Sequence, residues 1–128
     1  MRQRSLLECT FFIPERRDRF LSDGRAHKKK AWEWLEGELY GAFKGGTAAP
    51  GWYDGFYEDP DTHEMMCDRC RKYIVALRAA QVAELRRFLQ QACEVFQQKM
   101  IYLSIAGRVE FVERQNREDR ETTNGQLS

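Results

Sequence analysis

Apolar and polar residues alternate at the start of the chain. Leu7, Cys9, Phe11 and Ile13 share one side, and Glu8, Thr10 and Phe12 the other, the period-2 pattern of a half-buried strand over about 5–13. Pro14, mixed charges and Gly24 make residues 14–26 a connection. The spacing then changes. Trp32, Leu35, Leu39 and Phe43, widened by Ala31, Trp34 and Ala42, form the stripe of a helix from about residue 27 that stops at Gly45-Gly46. Trp52, Tyr53, Phe56 and Tyr57, inside the most Gly/Pro-rich stretch, predict a second strand at about 51–58. Tyr73, Val75 and Leu77 alternate with Ile74 and Ala76, so the third strand is apolar on both faces and central. Val82, Leu85, Leu89, Ala92 and Phe96, flanked by Phe88 and Val95, mark a second helix at about 80–98. Alternation resumes at Ile101, Leu103 and Ile105 and continues past Ala106-Gly107 with Val109 and Phe111, as one bulged strand or a tight hairpin.

The order β-α-β-β-α-β predicts an α+β fold: a ferredoxin-like sandwich of four antiparallel strands with two helices on one face. With Cys9, Phe11 and Ile13 turned to the helices, Phe12, Ile74 and Tyr102 are left on the other face. An apolar open face invites a partner, most simply a second copy of the chain. Residues 1–113 form the single domain expected of a 128-residue chain, and the polar stretch 114–128 reads as a disordered tail.

Composition narrows the function classes. A chain with 42% hydrophobic and 32% charged residues is expected to be water-soluble with a real core. Net charge +1 gives no bulk attraction to nucleic acid or lipid, and the third strand lacks the aromatic RNA-recognition string, so nucleic acid is not the expected partner. Residues 1–30 carry nine Lys/Arg against four Asp/Glu, residues 31–66 one against eight, and residues 67–128 eleven against eight. Such blocks suit self-association. The apolar start is interrupted by Glu8 and Pro14, which is unlike a signal peptide, no segment approaches a membrane span, and the four cysteines read as reduced thiols. The expected location is the cytoplasm.

Two segments carry candidate chemistry. His63, Cys67 and Cys70, with Asp61 near, have the ligand types of a zinc loop. No second ligand pair completes the set, so no metal or other cofactor is expected and the thiols read as idle. Glu58, Asp59, Asp61 and Glu64 read as a solvated turn, and neither histidine has the partners of a catalytic base, which leaves enzymatic activity undecided and a non-enzyme favoured. The second segment runs from Phe43 through Gly45, Gly46 and Thr47 to Trp52 and Tyr53. Glycines that permit close approach stand beside aromatic side chains there, so these six are the candidate ligand-binding residues. A helix cap with core aromatics explains the same residues without a ligand.

The string Phe43-x-Gly45-Gly46-Thr47, the pair Gly51-Trp52, the run from Asp68 to Val75 and the segment Gln98-x-x-Ile101-Tyr102-Leu103 resemble small bacterial ferredoxin-like proteins, domains of unknown function with an F-G-x-T…G-x-W core. The resemblance spans about 40–112 and implies a fold without an assigned activity. It also places Cys70 at a position held by serine in those proteins. The chain therefore reads as a binding or oligomerising module; the alternative is a small enzyme or ligand-binding protein using the groove from Gly45 to Tyr57.

Overall fold

The computed structural model describes residues 5–115. Along the chain run β1 (Leu7–Pro14), α1 (Lys29–Phe43), β2 (Thr47–Ala48), β3 (Tyr53–Glu58), β4 (Met65–Leu77), α2 (Val82–Val95), β5 (Met100–Ile105) and β6 (Arg108–Glu113), with a 3-10 turn at Ala79–Gln81 leading into α2. The architecture is α+β: a six-stranded sheet, antiparallel at every pairing, with two helices on one face. Strand order is β2–β4–β1–β5–β6, and β3 pairs with β4 on the same edge as β2.

The sheet exceeds the four strands expected from the sequence, for two local reasons. Pro50 lacks an N–H and Gly51 takes φ +78°, so the chain leaves the edge of β4 after Thr47–Ala48 and rejoins it only at Tyr53. At the other edge, Ala106 and Gly107 both have positive φ, at 49° and 88°, which is the two-residue turn that matches strand twist and closes a hairpin. The hairpin also inverts the phase of alternation. Tyr102 pairs with Phe111 and Ile101 with Val112, so Val112 joins Ile101 and Leu103 in the core while Val109 and Phe111 face out with Tyr102.

β4 begins six residues before the run Arg71–Leu77 that announced it, because β3 pairs with Met65–Cys70 in full register. Its central place holds: β1 lies on one side, β2 and β3 on the other, with Tyr73, Val75 and Leu77 buried. α1 ends one residue earlier than the glycine pair, with Lys44 as the left-handed cap at φ 62° and its N–H donating to the Tyr40 carbonyl. Gly46 answers to packing instead, since a Cβ there would come within 3.2 Å of Val75 Cγ1.

The core forms where the inward side of β1, β4 and β5 meets the stripes of both helices. Cys9, Phe11, Ile13, Leu35, Leu85, Leu89 and Leu103 are fully buried. Phe11 stacks on Tyr73 at 5.4 Å and meets Phe88 edge-on at 6.4 Å. Below the sandwich, the turn after β3 is pinned by Asp59, which is fully buried and accepts from the N–H groups of Asp61 and Thr62, both at 2.9 Å, and from Lys99 Nζ at 3.1 Å. The carboxylates read as a solvated turn thus include one anchor. No helix among the described residues is long and apolar enough to cross a membrane. The stretch expected to be disordered, 114–128, lies outside the described residues from position 116 onward.

Candidate functional site

The outward positions of the sheet carry a row of rings. Residues directly opposite in an antiparallel pair point to the same face, so Tyr53, Phe12, Tyr102 and Phe111, one from each of four strands, become neighbours although the sequence scatters them. Phe12 lies 5.9 Å from Tyr53 and 5.3 Å from Tyr102, and Tyr102 lies 5.9 Å from Phe111, each pair edge to face. Phe12, Ile74 and Tyr102 are on the open face as the alternation implied, and all three are half-buried.

These rings wall a cavity of about 450 Å³, within the range of small-molecule sites. Tyr57 and Asp68 also line it. The Tyr57 hydroxyl is hydrogen-bonded to the Asp68 carboxylate. Burial pushes the Asp68 carboxyl above its ordinary range; the Tyr57 bond opposes that shift and the charge of Asp18 adds to it. Burial, and then the charge of Asp68, raise the Tyr57 phenol as well. Cys70 also lines the cavity, and burial followed by the Asp68 charge pushes its thiol up to about 12, so it is present as the thiol rather than as a nucleophilic thiolate at neutral pH. The site therefore offers flat apolar walls, one hydrogen-bonded acid–phenol pair and no activated nucleophile from Cys70. It can hold and orient a flat organic ligand.

The six candidate residues from the sequence do not share this cavity. Tyr53 lines it. Trp52, the preceding residue, packs on Trp32 at 6.2 Å and takes the Arg71 guanidinium at 5.1 Å from its ring. Phe43 meets Phe88 at 6.3 Å within the helix layer. Gly45 and Gly46 border a separate depression of about 260 Å³ floored by Tyr73, and Thr47 leads β2 beside it. Trp52 turns to the helix side and Tyr53 to the open face, so these two neighbours in sequence part company in space.

Cys67 and Cys70, expected in a loop, lie on β4, three residues apart in an extended strand, so their side chains point to opposite faces. Cys67 is exposed opposite Phe56, while Cys70 faces the cavity opposite Tyr53. His63 sits in the turn with its ring 3.6 Å from Glu58. Among the described residues, no group of three His, Cys, Asp or Glu side chains converges as metal ligands.

In the sequence Asp68 stands out only as the start of the run to Val75; its parity with Cys70 and Lys72 acquires meaning only because β4 starts at Met65.

Among solved structures the fold resembles phage SAM lyase. The chain matches that protein in complex with S-methyl-5'-thioadenosine at a TM-score of 0.62 and 11% identity, covering 88% of this chain and 95% of that one. It matches the apo state at 0.58 and 11%, covering 91% and 96%. At this identity the likeness shows the fold. No protein-family model and no curated protein matches the chain.

Proposed function

We propose that the chain is a small-ligand-binding enzyme whose site is the cavity on the open sheet face, that its ligands are adenosine thioethers and sulfoniums, and that it acts on S-adenosylmethionine as a lyase. The framework is then a ferredoxin-like sandwich widened by β2 and β6. The observation that carries this reading is the aromatic cavity of about 450 Å³ that Tyr57 and Asp68 help to line. Its support is the shared fold with a phage SAM lyase whose complex holds S-methyl-5'-thioadenosine.

The chemistry is consistent. A purine stacks on aromatic faces, a thioether packs against ring edges, and a sulfonium is drawn to ring faces by their quadrupole. Tyr57 and Asp68 together provide hydrogen-bond capacity for hydroxyl or amino groups of the nucleoside. When the C–S bond of the sulfonium breaks, the electron pair goes to sulfur and neutralises it, while an oxygen of the ligand's own carboxylate bonds to the carbon that sulfur leaves and closes a lactone, so the step balances without a protein nucleophile or base. What the protein must supply is orientation and exclusion of water, which the cavity walls do.

The test is incubation with S-adenosylmethionine, with S-methyl-5'-thioadenosine release followed by chromatography and its binding by calorimetry. The expected result is binding and product release, both weakened at least tenfold in Tyr102→Ala. Neither binding at millimolar ligand nor product release would sink the reading.

Self-association is a second reading on the same face, favoured by Phe111 at 52% and Val109 at 53% exposure beside the aromatic row. Light scattering at tens of micromolar is expected to show a dimer or larger assembly that Phe111→Glu dissociates. A monodisperse wild-type monomer removes it.

A further inference from the structure

Lys72 stands on β4 directly opposite Phe12, and therefore on the open face. Its Nζ lies 5.6 Å from the centre of the Tyr53 ring, a cavity wall. No carboxylate pairs with it among the described residues, whereas Arg17, Arg19, Arg69, Arg86 and Lys99 all have one. Asp68 is on the same strand and face four residues earlier, which places the two about 13 Å apart at ~3.3 Å per residue. Along β4 the open face thus carries Asp68, beside Tyr57, on one side of Cys70 and the half-buried Lys72, against the Tyr53 wall of the cavity, on the other.

We infer that Lys72 is a specificity-determining residue that receives the carboxylate of the ligand. This inference rests on the cavity being the ligand site, as proposed above. The physical reason is polarity along β4. A ligand with donors at Asp68 inside the cavity and a carboxylate reaching past the Tyr53 wall matches both groups, and in the reverse orientation its carboxylate meets Asp68. An ammonium over a ring face already loses part of its hydration, so an incoming carboxylate gains a charge-assisted hydrogen bond for a reduced desolvation cost. A ligand that ends at the thioether leaves Lys72 unused.

S-adenosylhomocysteine, which carries the carboxylate, and S-methyl-5'-thioadenosine, which lacks it, separate the two ideas. Calorimetry on the wild-type protein is expected to show the carboxylate-bearing compound binding about tenfold tighter, a preference that shrinks as salt is raised. Lys72→Met keeps the aliphatic stem on Tyr53 and is expected to abolish the preference while leaving the affinity for S-methyl-5'-thioadenosine within about twofold; Lys72→Arg retains it. A preference that persists in Lys72→Met overturns the role of Lys72 while the cavity reading stands. Absence of binding by either compound to the wild type overturns both.

Discussion

Replacing Asp59 by Ala is expected to destabilise the protein by about 3–5 kcal/mol, the scale on which removing one partner of a buried ion pair strands the other. Asp59 is fully buried and Lys99 is only 15% exposed at its side chain. Two backbone donors and an ammonium converge on one carboxylate, and Asp61, which reaches Lys99 at 2.8 Å, is 71% exposed and replaces only part of the charge. Asp59→Asn keeps an acceptor oxygen for the turn and should lose less. The double variant Asp59→Ala/Lys99→Met should recover part of the loss, because the orphaned ammonium is gone. Urea denaturation measures all three, and a change below 1 kcal/mol for Asp59→Ala would show that the turn is not an anchor.

The same pair sets an acid limit. Burial alone pushes Asp59 up, but the N–H groups of Thr62 and Asp61 and the Lys99 ammonium outweigh it, leaving the carboxyl at about 2. The folded value lies below the ordinary 3.8. Its contribution is therefore complete above the ordinary carboxylate value and is lost as pH falls towards about 2. Acid unfolding followed by circular dichroism should show this component in the wild type and not in Asp59→Asn.

Phe96→Ala is the second large effect expected, about 3–5 kcal/mol for removing a fully buried phenyl ring. Phe96 caps α2 and is 0% exposed. Its ring meets His27 at 4.8 Å, Trp32 at 5.1 Å and Trp34 at 6.4 Å. It thus joins α2 to α1 and to the connection after β1, where His27 contacts the Pro14 carbonyl at 2.9 Å. The resulting void cannot collapse cheaply, since its lining comes from three separate elements. Phe96→Leu should cost less than half as much. Thermal unfolding with near-ultraviolet circular dichroism reads both the stability and the tryptophan packing, and a melting temperature unchanged in Phe96→Ala would contradict this account.

Both helices and most of the strands could be read from the chain because their apolar residues repeat at a period that belongs to the local backbone. Val82, Leu85, Leu89 and Ala92 lie on one side of any α-helix, and all four are buried. Leu7–Pro14 alternates in any extended strand, and its inward side is the core side. The early start of β4 was not readable in the same way. Met65–Cys70 mixes Met, Cys, Asp and Arg without a repeating pattern, and it becomes strand because β3 supplies a hydrogen-bonding edge.

The candidate cavity divides along the same line. Alternation alone put Phe12 and Tyr102 on the open face and left that face in want of a partner. It could not bring Tyr53 or Phe111 to them, since that depends on which strands are neighbours and in what register. Nor could it separate Trp52 from Tyr53, or Cys67 from Cys70, until the strand carrying each pair was known. Local periodicity settled both helices, the inward sides of β1, of β5 and of the second half of β4, and the leftover aromatic residues Phe12 and Tyr102, because these follow from backbone periods of 3.6 and 2. The extra strands, the early start of β4, the inward side of β6, the joining of four rings with Tyr57, Asp68 and Lys72 on one face and the burial of Asp59 came from packing, because strand pairing and cross-strand register are non-local.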